Sequence, residues 1–193
     1  YFAGHMGNRL GIPENKIQCF PNGISLDGYD VANSKLEQPT IGYFARKCPE
    51  KGLDLLVDAF IELKNSDQHS ELRLAIAGTL PSENIIYLEE QKTKISRAGL
   101  DDFADFETNL SRSDKIRFIK GLTLFCVPAR SAEAFGLYMI EAMAAGVPVV
   151  LPAHGSFPEI IRETQGGLLY RKDDSSGLVN ALSMLLSDTE RAQ

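Results

Sequence analysis

Cysteine is scarce in this chain of 193 residues. Its three thiols, Cys19, Cys48 and Cys126, are scattered and odd in number, which argues against a disulfide scaffold and suits a reducing, cytoplasmic compartment. Cys19 and Cys126 fall in strand-like runs and read as buried, whereas Cys48 sits in a loop with no base beside it. The three histidines and three cysteines show no ligand spacing, and no two aspartates stand two positions apart, so no zinc cluster or Asp-x-Asp metal motif is present. Nucleophile elbows and phosphate-binding P-loops are missing as well. Long hydrophobic runs are also lacking. The longest, Ala142 to Ala153, is interrupted by Gly146, Pro148 and Pro152 and is too short to cross a bilayer, and no signal peptide opens the chain. Positive charge is in deficit, with 20 Lys and Arg against 26 Asp and Glu, a net charge of −6 and a pI near 5.1. That balance speaks against nucleic acid or an anionic membrane as partner. An anionic ligand would have to be held by local cations and helix ends.

What is present is the composition of one ordinary domain, 44% apolar and 24% charged, with no low-complexity run. From Thr40 onward, short apolar runs alternate with helical patterns. The strand candidates are Thr40–Ala45, Leu72–Ala77, Asp102–Phe106, Leu122–Val127, Val147–Leu151 and Gly167–Tyr170. The helix candidates are Leu53–Asn65, Asn84–Ala98, Leu110–Phe118, Leu137–Ala145, Phe157–Glu163 and Ser176–Leu186. In the first helix Leu53, Leu56, Val57, Phe60, Ile61 and Lys64 mark an apolar stripe at the helical period. Such alternation predicts an α/β fold with a doubly wound, Rossmann-like parallel sheet. Ahead of it, Tyr1 to Leu10 reads as a short helix ended by Gly11, Lys16 to Phe20 as a strand, and Pro21 to Ile24 as a turn. In a doubly wound sheet, ligands bind beyond the carboxyl ends of the strands, where Arg46, Gly78 and Glu133 all fall.

The stretch from Glu133 to Glu141 carries the most chemistry. Gly136 allows a tight turn, good helix formers run from Leu137 to Ala145, and Gly146 with Pro148 stops the helix. Free N–H groups at Gly136, Leu137 and Tyr138 would open that helix and attract phosphate. Glu133 before it and Glu141 within it can face one cleft, and a carboxylate accepts two hydroxyl hydrogen bonds from a sugar or ribose diol. The plainer alternative is a surface glutamate on a helix behind another on a loop. A second element, Ala45-Arg46-Lys47-Cys48-Pro49-Glu50-Lys51-Gly52, follows the first strand. Arg46 can grip phosphate bidentately, and Lys51 is a compact point charge. A solvated basic loop is the alternative there.

These strings together resemble glycosyltransferase family 4, retaining enzymes of the GT-B fold. Glu133-x7-Glu141 with Phe135-Gly136 inside, followed by Ala142-Met143-Ala144-Ala145-Gly146-Val147-Pro148, resembles its donor-binding motif. Residues 45–52 resemble its Gly-Arg-x-x-x-x-Lys-Gly element, with Ala45 in place of the glycine. Gly78 matches a second glycine turn. His154-Gly155-Ser156-Phe157-Pro158-Glu159 is similar to a further turn, with Ser156 replacing a glycine, Glu159 a capping residue and His154 read as structural. Two departures stand out. Phe103-Ala104-Asp105-Phe106 replaces the usual Phe-x-Gly near the nucleobase, and one extra residue between Pro128 and Glu133 shifts Arg130. The strings at 10–17 and 21–25 are similar to the segment joining the two halves of such enzymes.

The resemblance implies a nucleotide-sugar-binding half, residues 39–193, preceded at 1–38 by the tail of an N-terminal half and a linker read at 31–39. The acceptor-binding N-terminal half would be a partner missing from this chain, which alone would not transfer sugar. Glu133 would contact the transferred sugar, Arg46 and Lys51 the diphosphate, and Glu141 the ribose, with Phe135, Gly136, Leu137 and Gly78 completing the nucleotide site. The donor would be a UDP-, GDP- or ADP-sugar, with no separate cofactor and no metal. A nucleotide-sugar epimerase of the same architecture and a non-catalytic nucleotide-binding module remain the alternatives. The basic run from Lys115 to Lys120 reads as a solvated helix face, with a membrane-surface role as its alternative.

Overall fold

The computed structural model describes residues 1–29 and 38–188. Helix α1 spans Phe2–Leu10 and ends at Gly11 in the left-handed conformation. The main unit then alternates β1 (Thr40–Phe44), α2 (Leu53–Lys64), β2 (Arg73–Ala77), α3 (Ile85–Arg97), β3 (Ala104–Phe106), α4 (Arg112–Lys120) and β4 (Leu124–Cys126), and continues through α5 (Leu137–Ala144), β5 (Val149–Pro152), α6 (Phe157–Thr164), β6 (Gly167–Tyr170) and α7 (Ser175–Ser187). The six strands form one sheet in the order β3-β2-β1-β4-β5-β6, and every ladder is parallel. The predicted doubly wound α/β sheet is therefore observed. Its chain order reverses between β1 and β4.

The short strands persist because they are buried on both faces, as parallel strands flanked by helices must be. Leu124, Phe125 and Cys126 of β4 and Val149, Val150 and Leu151 of β5 have no exposed surface. On α2 the buried stripe is Leu53, Leu56, Val57, Ala59, Phe60 and Leu63, so Leu63 takes the place expected for Ile61 and Lys64. Leu178, Leu182 and Leu185 of α7 are buried, and α7 packs beside α2. Gly42 of β1 has a packing reason, since a Cβ there would overlap the side chain of Leu122.

Several boundaries and one element differ from expectation. Residues Lys16 to Phe20 form no strand. A strand needs a ladder partner, and here Phe20 stands 76% exposed with Cys19 exposed beside it. Buried Cys48 and exposed Cys19 thus exchange the places predicted for them, because the β1–α2 loop folds inward while the segment before the sheet does not. β3 starts late because Asp101–Phe103 closes a 3-10 turn, and α4 starts late because the Ser111 hydroxyl accepts the Asp114 N–H as an N-cap. Residues 31–37 of the linker expected at 31–39 lie outside the described residues. Just before it the chain is tied down, as Tyr29 is 3% exposed and Arg112 donates to the Asp27 carbonyl at 3.0 Å.

Among the described residues no helix is long and apolar enough to cross a membrane. One backbone approach fixes the two loops that flank the β1/β4 boundary. Gly52 sits at φ 69°, and a Cβ there would overlap the Pro128 carbonyl. Gly52→Ala is therefore expected to destabilise the fold by more than about 1 kcal/mol, read as a lowered midpoint in urea unfolding. An unchanged midpoint would contradict the close approach.

Candidate functional site

The carboxyl ends of β1 and β4 open onto the crevice where the strand order reverses, the ligand position of doubly wound sheets. Arg46 and Lys51 leave β1, and Glu133 and α5 follow β4. The Tyr43 hydroxyl, on a side chain with no exposed surface, donates to the Arg46 carbonyl at 2.8 Å, anchoring that backbone while the Arg46 side chain stays exposed. The Arg46 guanidinium makes no hydrogen bond or ion pair among the described residues and is available to an incoming anion.

Lys51 and Glu133 meet directly, with Lys51 Nζ donating to Glu133 Oε1. Their side chains are 15% and 17% exposed, so the pair is only lightly screened. Lys51 Nζ also stands 5.6 Å from the Tyr138 ring centroid. The loop bearing Glu133 is held from behind by the turn before α6. Ser156 N–H donates to the Glu133 carbonyl at 3.0 Å, Ser156 Oγ donates to the Phe135 carbonyl at 3.3 Å, and a Cβ on Gly155 would come within 2.8 Å of the Glu133 backbone. His154 Nε2 lies 2.8 Å from the Ala129 carbonyl, so that nitrogen carries the proton. This gives His154 the structural part read for it.

Helix α5 begins at Gly136 with φ 79° and ψ 65°, with no side-chain cap and no acidic residue in its first turn. Helix geometry leaves its leading N–H groups without intrahelical partners. Helix α5 shares the missing side-chain cap with α1, α2, α3 and α6, whereas α4 and α7 are capped by Ser111 and Asp174. Leu137 is 45% exposed and Phe135 half-buried at this end. Farther along α5, Glu141 accepts from Lys115 Nζ of α4, with side chains 15% and 21% exposed. The hydroxyl of buried Tyr29 lies beside Glu141 without a well-aligned hydrogen bond, and burial followed by the charge of Glu141 pushes its pKa up to about 12. The basic run 115–120 therefore does not form one solvated face. Lys115 turns inward beside buried Ile116 and Ile119, whereas Arg117 remains exposed and pairs with Asp114.

Gly78 is buried, at φ 124°, where a Cβ would overlap the Ala45 carbonyl. Its own carbonyl accepts from Lys47 Nζ at 3.2 Å. Sequence reasoning gave Lys47 no part, yet it has no exposed surface and also donates to Thr108 Oγ1 at 2.8 Å and to the Glu107 carbonyl. Burial lowers its pKa. It ties the end of β2 to the chain beyond β3. Arg130, whose placement the sequence left open, lies away from the Lys51–Glu133 pair on Asp54, donating at 2.7 and 2.6 Å and to the Pro49 carbonyl at 2.8 Å. Tyr87 donates to the same carboxylate at 2.7 Å. This cluster joins the β1 and β4 loops. No sequence signal distinguishes Tyr87 from an ordinary helix residue, but an arginine shortly after a buried strand and an acid, Asp54, in the first turn of α2 were visible. Among the described residues, no group of three or more His, Cys, Asp or Glu side chains is placed to hold a metal ion.

The family model described as "Glycosyl transferases group 1" matches residues 30–193. The chain belongs to that family. It is 32% identical over 190 residues to the lipopolysaccharide core biosynthesis mannosyltransferase LpcC of Rhizobium leguminosarum bv. viciae, covering 94% of this chain and 52% of that protein. The chain thus spans about half the length of the curated relatives it matches. The C-terminal domain of the LpcC glycosyl transferase of Francisella tularensis superposes with a TM-score of 0.78 at 23% identity, covering 88% of this chain and 91% of that one. Anabaena HepE, solved in complex with UDP-glucose, superposes at 0.81 with 22% identity, over 96% and 52% of the two chains. The fold is that of one Rossmann-like half of a GT-B glycosyltransferase.

The Asp54–Arg130 cluster can be tested through stability. Burial raises the Asp54 pKa, but hydrogen bonds from Arg130 and Tyr87 outweigh that and hold it below the usual carboxylate range. A depressed folded-state pKa contributes stability that is present above the ordinary aspartate pKa and lost as pH falls through the lowered value. Asp54→Asn is expected to cost about 1–2 kcal/mol near neutral pH, allowing for screening at the partly exposed Arg130. The gap to wild type should narrow on acidification. A gap independent of pH would contradict the charge assignment.

Proposed function

We propose that this chain is the donor-binding half of a retaining, metal-independent glycosyltransferase that takes a nucleoside diphosphate sugar. The observation that carries the reading is the Lys51–Glu133 pair set against the uncapped start of α5 at the β1/β4 crevice. Cations and free N–H groups there suit a diphosphate, and a carboxylate beside them suits the sugar attached to it. The UDP-glucose bound by HepE and the mannosyl transfer named for LpcC of Rhizobium support the same class of donor.

In this reading Arg46, Lys51 and the leading N–H groups at Gly136, Leu137 and Tyr138 bind the diphosphate. Glu141 accepts the ribose hydroxyls, and Lys115 is displaced from it or shares it. Phe135 shapes the same wall, while Gly78 acts through its bare Cα by letting the β1 and β2 loops approach. Sugar transfer breaks the bond between the anomeric carbon and the phosphate oxygen. Negative charge then grows on the leaving diphosphate and positive charge on the sugar. Arg46, Lys51 and the α5 N-terminus stabilise the first, at about 1.5–3 kcal/mol per charged hydrogen bond and up to about 2 kcal/mol for the helix end. Glu133 stabilises the second. The acceptor, and any group that activates it, belong to an N-terminal half beyond this chain, so the chain alone binds donor without transferring sugar.

Titration calorimetry with UDP, GDP and ADP should show binding that survives a chelator, and binding abolished by the chelator would contradict the metal-free site. Arg46→Ala and Lys51→Ala should weaken the diphosphates roughly ten- to a hundredfold while leaving the bare nucleosides little changed. Equal weakening of both would remove these cations from the phosphate site.

The two glutamates separate by role. Glu141→Gln should weaken every nucleotide tested by about ten- to a hundredfold. Glu133→Gln should spare nucleotide binding and, in a protein carrying both halves, lower turnover by about 10²–10³. The reverse pattern would overturn the assignment.

A further inference from the structure

The Lys51–Glu133 pair creates a conflict for a donor site. If Lys51 turns to a diphosphate, Glu133 loses its partner at the moment its carboxylate must be held beside the sugar. Tyr138, the second residue of α5, touches both members of the pair. Lys51 Nζ lies 5.6 Å from its ring centroid, and the buried hydroxyl is close enough to the Glu133 carboxylate to interact with it, but in a geometry too poor to count as a formed hydrogen bond. Packing accounts for the ring, which stands 5.9 Å from that of Phe125, as a phenylalanine would. It does not account for the oxygen. A buried hydroxyl without a well-aligned partner is unfavourable and is normally retained for a reason. Burial, and then the charge of Glu133, hold its pKa well above the usual tyrosine value, so the group keeps its proton and can only gain by donating it to an acceptor.

We propose that Tyr138 is a positioning residue for Glu133, its hydroxyl becoming the carboxylate's hydrogen-bond donor when the donor's diphosphate draws Lys51 away. The proposal rests on the donor-site reading of Lys51 and Glu133 given above. In the free protein Lys51 satisfies Glu133 and the tyrosine hydroxyl sits beside the carboxylate in a poorly aligned contact. With diphosphate bound, Lys51 bonds phosphate and Tyr138 holds the carboxylate toward the sugar. Nucleotide binding alone does not need the hydroxyl; grip on the sugar does.

Tyr138→Phe keeps the ring and removes one atom, and its unfolding midpoint establishes that the fold is retained. Titrations with UDP and UDP-glucose, and with GDP and GDP-mannose, then separate the two halves of the ligand. The expected result is unchanged affinity for UDP and GDP and about tenfold weaker binding of whichever nucleotide sugar the wild type prefers. In a Glu133→Gln background the same substitution should have almost no further effect, because the two residues act as one unit. Unchanged sugar-nucleotide binding in Tyr138→Phe, equal weakening of nucleotide and sugar nucleotide, or effects that add in the double variant would each overturn the proposal. A wild-type chain that binds none of the four ligands would instead overturn the donor-site reading beneath it.

Discussion

The pairing of β1 with β4 is the contact on which the rest of the molecule depends. Ile41 opposite Leu124 and Gly42 opposite Phe125 make a short ladder, but it joins the two halves of the sheet, β3-β2-β1 and β4-β5-β6. The connections leave these strands in opposite directions, α2 toward β2 and α5 toward β5. At the carboxyl ends the loops bearing Arg46, Lys51 and Glu133 face one another across a gap that Lys51 spans by donating to Glu133. Two further constraints set the width of that gap: the Gly52 backbone against the Pro128 carbonyl, and Arg130 reaching across to Asp54 and Pro49. The first operates through packed backbone, and the second through a bidentate ion pair whose arginine is partly exposed.

Charge at this crevice is arranged locally, against a net charge of −6. Each of the two glutamates carries one lysine, Lys51 on Glu133 and Lys115 on Glu141, and each lies beside a buried tyrosine hydroxyl, Tyr138 and Tyr29, that is poorly aligned to it. Half-buried pairs of this kind hold their geometry without the full desolvation penalty of a deep ion pair. They can therefore be opened by a ligand that supplies replacement partners. Lys47 is the counterexample. Its ammonium faces Gly78, Glu107 and Thr108 oxygens with no exposed surface, so it fixes the loops after β2 and β3 and is not free to meet a ligand.

Local sequence determined the alternation of elements, their type and most of their extents, because apolar period and glycine or proline punctuation act over a few residues. It also determined which glycines must be glycines, as at Gly136, and the identity of the family, because the string from Glu133 to Val150 and the string from Ala45 to Gly52 recur as units. Tertiary structure alone decided the partners. Lys115 belongs to a run that reads as a solvated basic face, yet its neighbours Ile116 and Ile119 turn it inward to Glu141. Lys47 and Arg46 are adjacent and chemically alike, and one is wholly buried while the other is open, because Tyr43 pins the backbone between them and the chain after β2 and β3 supplies three oxygens, one from Gly78 and two from Glu107 and Thr108. The absent strand at Lys16–Phe20 has the same cause. Strand propensity is local, but a ladder needs a neighbour, and only the assembled chain decides whether one is there.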